Sequence, residues 1–208
     1  MKIVFFGDSI TDTNRDRVGM IGRLGAGYVS QVGFALEATD PKKYTVINLG
    51  NSGERTIDLY VRLSKVWKQE PDVLSILVGV NDVWDCIKEP GPGVDLNRYE
   101  KTYRRILKDT KELFPNLKIV LLEPFCLEGT GTSDRREFFV KIPESAEIVK
   151  KLAKEEGAFF LPLQEKLSAL AEKFGNEKVL YDGVHPNVAG AKLIADEWLK
   201  LFKEKIEG

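Results

Sequence analysis

Histidine and cysteine are almost missing from this chain. Its 208 residues include one histidine, His185, and two cysteines, Cys86 and Cys126. The cysteines form no close-spaced pair, so a disulfide framework is not expected and a reduced, cytoplasmic setting is. One imidazole and two scattered thiols also argue against a zinc site, and no metal is expected. No apolar stretch approaches the length of a membrane span. Residues 1–6 hold one Lys and a short apolar run that leads straight into Gly-Asp-Ser, without a cleavage-type segment. An excess of either charge is missing as well. The 31 Lys+Arg against 32 Asp+Glu leave no electrostatic footprint for nucleic acid or an anionic membrane. Phosphate-binding signatures are lacking: Gly19, Gly22, Gly25 and Gly27 fit neither G-x-G-x-x-G after a strand nor a P-loop.

What is present is a globular chain, 43% hydrophobic and 30% charged, long enough to bury a large core. Short apolar runs lie at 2–6, 44–47, 73–78, 117–122 and 158–161, and read as buried strands. Helical spacing recurs at 28–37, 56–67, 97–113, 137–156, 163–174 and 188–205. Thr56 is placed as a helix cap, and Pro143 is expected to interrupt or restart its helix. Between the periodic segments lie a long polar loop from Thr11 to Tyr28, a Pro/Gly loop at 88–95 and a Gly/Thr/Arg loop at 126–136. Strand and helix alternate five times, with no linker, composition shift or repeat. This implies one α/β domain over 1–208: a three-layer, doubly wound, five-stranded parallel sheet of flavodoxin-like type.

In such a sheet the strand C-termini share one edge, where ligands bind. Polar residues stand at several of these ends. Ser9 follows the first strand, but a hydroxyl is a nucleophile only if a base takes its proton. His is the side chain suited to that near neutral pH, so the candidate is His185 or nothing. Asp182 stands three residues earlier, close enough to orient the imidazole and stabilise its protonated form, although a cap or Asx-turn role stays open. Acyl transfer also needs donors for an oxyanion. The N–H groups of Ser9 and Gly53 and the amide of Asn81 suit that need. A plain turn glycine and a capping asparagine are the alternatives.

Gly7-Asp8-Ser9-Ile10-Thr11-Asp12, Asn48-Leu49-Gly50-Asn51-Ser52-Gly53, Gly79-Val80-Asn81-Asp82 and Asp182-Gly183-Val184-His185-Pro186 resemble the four blocks of the SGNH/GDSL hydrolases, in order and across nearly the whole chain. The resemblance implies Ser9 as nucleophile, His185 as base, Asp182 as its partner, and Gly53 and Asn81 as oxyanion donors. No cofactor is implied, and the partner is a small-molecule ester. The absence of a G-x-S-x-G elbow means that the α/β-hydrolase fold is not implied.

Leu24-Gly25-Ala26-Gly27-Tyr28-Val29, Gly79 to Trp84, and Pro124-Phe125 followed by Arg135-Arg136 are similar to bacterial intracellular acetylesterases of acetylated xylo-oligosaccharides. That implies a serine acetylesterase. Asp8, Trp84, Tyr181, Arg135 and Arg136 are its substrate-contact candidates, with core packing or surface cover as the other reading of the aromatics and solvation as that of the arginines. A lysophospholipase or thioesterase, a general carboxylesterase, and a silent carbohydrate-binding module on the same fold are the rival expectations. Self-association is compatible with a chain of this size, but no heptad marks it.

Overall fold

Each apolar run becomes a strand because it is buried on both faces, and each amphipathic segment becomes a helix laid across them. The computed structural model describes residues 1–19, 22–88 and 95–207. Strand β1 (Lys2–Gly7) leads into the short α1 (Ser9–Asp12) and then α2 (Tyr28–Leu36). β2 (Thr45–Asn48) precedes α3 (Thr56–Val61) and α4 (Leu63–Trp67). β3 (Val73–Leu77) precedes α5 (Val80–Lys88) and α6 (Leu96–Leu113). β4 (Lys118–Leu122) precedes α7 (Phe138–Glu155), and β5 (Phe159–Leu161) precedes α8 (Gln164–Phe174), α9 (Asn176–Val179) and α10 (Val188–Lys205).

The five strands pair in parallel, in the order β2-β1-β3-β4-β5. This is the doubly wound, flavodoxin-like order, with its switch point between β1 and β3. Alternate residues of β1 feed two separate cores. Ile3 and Phe5 join α2 and α10 residues such as Tyr28, Val32, Ile194, Trp198 and Phe202. Val4 and Phe6 join Leu59, Val66, Tyr103, Ile106 and Leu152 from α3, α4, α6 and α7. Each such large apolar side chain stabilises the fold by about 1.5–3 kcal/mol on burial. The polar side chain inside β3, Ser75, accepts from Trp198 Nε1 at 3.0 Å, so the buried indole N–H is satisfied.

The structure corrects several expectations. Thr11 and Asp12 belong to α1 and not to the loop that follows. The 56–67 helix is broken at Arg62, whose backbone leaves helical geometry (φ −107°, ψ 19°). Its guanidinium is pinned to Glu54 and to the Leu49 carbonyl at 2.8 Å, which draws that residue toward the β2–α3 loop. Thr56 is not the cap but the first residue of α3. Pro143 does not interrupt α7. It lies on the exposed side near the helix start, where its ring displaces no core group. Pro90, Gly91, Pro92 and Gly93, expected in a loop, lie outside the described residues. Among those residues no helix is long and apolar enough to cross a membrane.

Candidate active site

Ser9 stands where β1 ends at the switch point. Gly7 makes the turn possible: a Cβ there would sit 2.2 Å from the Leu77 carbonyl oxygen and 2.5 Å from Thr11 Oγ1. Asp8 caps α1, its Oδ1 accepting from the Ile10 N–H at 2.9 Å. Ser9 is thus the first helical residue, and its N–H has no carbonyl in a preceding turn to bond.

From the other terminus, the α9–α10 loop brings His185 to Ser9. Ser9 Oγ and His185 Nε2 are 2.8 Å apart, across 176 positions of sequence. His185 Nδ1 lies 2.7 Å from Asp182 Oδ2. A carboxylate can only accept, so Nδ1 carries the hydrogen and Nε2 is left to accept from the serine. Asp182 also shapes the turn between them: its Oδ1 accepts from the N–H of Val184 at 2.9 Å and of His185 at 2.8 Å. Burial alone would raise the Asp182 carboxyl, but these N–H groups and the imidazole outweigh it and hold it below the usual carboxylate range. Gly183, at φ +93°, lets the 126–136 loop close against this turn. Leu127 N–H donates to its carbonyl at 2.8 Å and Gly131 N–H to that of Asp182 at 2.8 Å. Tyr181 lies almost parallel to the imidazole, 5.6 Å between ring centres, and is 57% exposed.

The loops after β2 and β3 complete the arrangement. Gly53 has φ +80°, and apart from its chain neighbours no described atom lies within 4 Å of where a Cβ would be, so that side of its backbone is uncovered. Asn81, on the first turn of α5, donates from Nδ2 to the Glu54 carbonyl at 2.9 Å. An amide has two N–H bonds, so one remains for a ligand. Asp82 accepts from Thr56 N–H at 3.1 Å and Thr56 Oγ1 at 2.6 Å, tying the same two loops together. Burial pushes Asp82 up to about 7, and burial together with the Asp82 and Glu54 charges pushes Asp8 to about 7 as well. Together, these groups offer a hydroxyl, a base with its orienting carboxylate, and backbone and amide donors along one sheet edge.

The remaining candidates fare differently. Asp8 has no exposed surface, and its carboxylate caps α1. Trp84 is half-buried, with the Arg135 guanidinium 4.0 Å over its ring and Phe138 in a T-shaped contact at 5.5 Å. Arg135 is accordingly held against Trp84 and beside Asp134 at 3.4 Å, while Arg136 is exposed. Tyr181 alone of the aromatics is both exposed and beside His185. The sequence reading overlooked Asp12, Ser52 and Asp82, which bind these loops to one another. Their signal was present: Asp12 follows Ser9 by one helical turn, and Asp82 follows Asn81 directly.

A serine-bearing turn at the switch point of a flavodoxin-like sheet, faced by an Asp-His turn from the loop before the last helix, is an arrangement suited to serine-dependent hydrolysis. Residues 5–193 match the profile of the GDSL-like lipase/acylhydrolase family. The chain belongs to that family and is a carboxylic ester hydrolase. It is 35% identical over 207 residues to an acetylxylan esterase of Geobacillus stearothermophilus, covering 96% of this chain and 92% of that protein. The crystal structure of that organism's acetylxylan esterase Axe2 superposes with a TM-score of 0.83 at 34% identity, over 96% of this chain and 92% of that one. A Parabacteroides merdae protein described as a GDSL-like lipase superposes with a TM-score of 0.90 at 34% identity, over 98% and 96% of the two chains. Variants of Axe2 described as catalytic mutants replace a serine, an aspartate and a histidine, the last two three positions apart.

Proposed function

We propose that this protein is a serine acetylesterase of acetylated xylo-oligosaccharides, acting through an acetyl-Ser9 intermediate. The observation that carries the reading is the 2.8 Å contact between Ser9 Oγ and His185 Nε2. In the first half-reaction Ser9 Oγ attacks the acetyl carbonyl while its proton passes to His185 Nε2. The negative oxygen that forms is met by the N–H groups of Ser9 and Gly53 and the free N–H of Asn81. Asp182 stabilises the imidazolium through Nδ1, 2.7 Å away. Collapse breaks the ester C–O bond, and His185 returns its proton to the departing sugar oxygen. In the second half-reaction water attacks the acetyl-serine, His185 takes the water's proton, and acetate leaves as Ser9 regains its hydrogen. No step requires a cofactor.

The acetyl and xylose components of the reading are supported by the similarity to the Geobacillus acetylxylan esterase over most of both chains. The same Asp-to-His spacing of three occurs in the Axe2 catalytic variants and between Asp182 and His185. Tyr181, exposed and parallel to the imidazole, is the ring placed to meet a sugar of the leaving group. The partner is thus a small ester, and the near-balanced charge favours neither nucleic acid nor a membrane surface. Cys86 and Cys126 stand as separate free thiols, which suits a cytoplasmic site of action.

An acyl-length series on p-nitrophenyl esters, run beside acetylated xylobiose with mass-spectrometric detection of acetate, tests the reading. Acetyl should exceed octanoyl in kcat/KM by at least about tenfold, a difference of about 1.4 kcal/mol in transition-state binding. A preference for octanoyl would instead support the lysophospholipase or thioesterase reading.

A further inference from the structure

The oxyanion donor Gly53 is held from both sides, and the carboxylate of Asp12 supplies one of the two holds. Asp12 lies on α1 one turn beyond Ser9 and is buried. Its Oδ2 accepts from Ser52 N–H at 3.2 Å, Ser52 Oγ at 2.9 Å and the Arg17 guanidinium at 2.8 Å. Ser52 is the residue directly before Gly53. On the far side, the carbonyl of Glu54 accepts from Asn81 Nδ2 at 2.9 Å. Gly53 itself touches nothing where a side chain would be, so its position depends on these neighbours.

The rest of the loop reinforces the link to α1. Gly50 lies so close to the helix that a Cβ would stand 2.3 Å from Asp12 N. Arg15 Nε donates to the Gly50 carbonyl at 2.8 Å, and Arg17 also donates to Asn51 Oδ1 at 2.9 Å. Asn51 N–H reaches the Gly7 carbonyl at 2.9 Å. Of these contacts, the bond from Asp12 to Ser52 is the nearest to Gly53 on that side. The two arginines balance the Asp12 charge. Burial works against its ionisation, but Ser52 and Arg17 hold its carboxyl below the usual range, so it stays an acceptor at neutral pH.

We infer that Asp12 is a positioning residue for ester hydrolysis: acting through Ser52, it fixes the Gly53 N–H relative to the Ser9 hydroxyl carried on its own helix. The inference rests on the assignment of Ser9 and Gly53 in the proposed function. An oxyanion donor matters chiefly in the transition state, so loosening it lowers kcat more than it raises KM.

The test compares steady-state kinetics of Asp12→Ala, Asp12→Asn and Ser52→Ala with the wild-type enzyme on p-nitrophenyl acetate. His185, as the only histidine, gives a clean imidazole NMR signal for the state of the Ser-His pair. Asp12→Ala should lower kcat by about 10- to 100-fold, part of the loss expected for removing a donor outright, with KM within about threefold. Asp12→Asn, which keeps an acceptor, should recover much of that loss. Ser52→Ala, which leaves the carboxylate and the fold in place, should lower kcat by about three- to tenfold. The imidazole resonances should not move in any of them. Unchanged kcat in Asp12→Ala and Ser52→Ala would overturn the inference, as would a loss of kcat that tracks displaced imidazole resonances. A fluorophosphonate adduct on Ser9 of the wild-type enzyme separates the two levels, because its absence would defeat the underlying assignment itself.

Discussion

Asp8 sits directly before Ser9, fully enclosed, with one carboxylate oxygen bound to the Ile10 N–H and the other, Oδ2, without a hydrogen-bond partner among the described residues. Burial and the nearby Asp82 push it up to about 7 from an ordinary 3.8. The folded protein therefore binds a proton between about pH 4 and 7 that the unfolded chain has already released. The contribution of Asp8 to stability falls as pH rises through that window, because ionising it is harder in the fold than out of it. Asp8→Asn keeps the cap acceptor and removes the ionisation. Its stability relative to wild type should accordingly be more favourable at pH 8 than at pH 5 in urea denaturation. An equal difference at both pH values would contradict this placement. The residue scale is also where the sequence was only half legible. Ser9, Asp182 and His185 stood out because few residue types can fill those chemical needs and only one histidine exists. Asp8 stood among the substrate-contact candidates; that its carboxylate is enclosed and caps α1 follows from the turn geometry, which composition does not reveal. Trp84 and Arg135 were each visible as candidates, but their stacking at 4.0 Å joins α5 to the loop before α7 and lies beyond any local pattern.

Among the elements, the five strands were legible because two-sided burial leaves unbroken apolar runs such as Val73 to Leu77. Helix α5 was not, although Val80, Val83, Trp84 and Ile87 recur at helical spacing, because Gly79-Val80-Asn81-Asp82 reads locally as a turn. The break between α3 and α4 was equally hidden, because the pull on Arg62 comes from Glu54 and Leu49. The edge strand β2 shows a further feature of this kind. Its outward N–H at Val46 is taken by Glu37 Oε1 at 2.8 Å, and its outward carbonyl by Arg23 at 2.6 Å. Side chains from the two ends of the α2 segment, Arg23 before it and Glu37 just after it, thereby occupy bonding positions that an edge strand would otherwise offer to another chain. Glu37→Ala leaves the Val46 donor unpaired and should cost about 1–3 kcal/mol of unfolding free energy. Chemical denaturation with an unchanged m-value checks it; wild-type stability in that variant would show that the contact holds nothing.

On the scale of the whole molecule, the two ends of the chain assemble one site. Trp198 on α10 packs against Phe5 of β1, 4.9 Å between ring centres, and donates to Ser75 of β3. The same helix follows the His185 turn, so its seating on the sheet delivers the imidazole to the end of β1. Lys43 and Glu207 form an ion pair 2.6 Å long that ties the C-terminal tail beside β2. Fold and chemistry are therefore coupled: the packing that completes the core also brings together groups 176 positions apart. The most direct measurement is the turnover of p-nitrophenyl acetate by purified Ser9→Ala at matched thermal stability. A loss of at least about 10⁴-fold in kcat is predicted, since a nucleophile cannot be replaced by the remaining donors. Turnover within about tenfold of wild type would contradict the account.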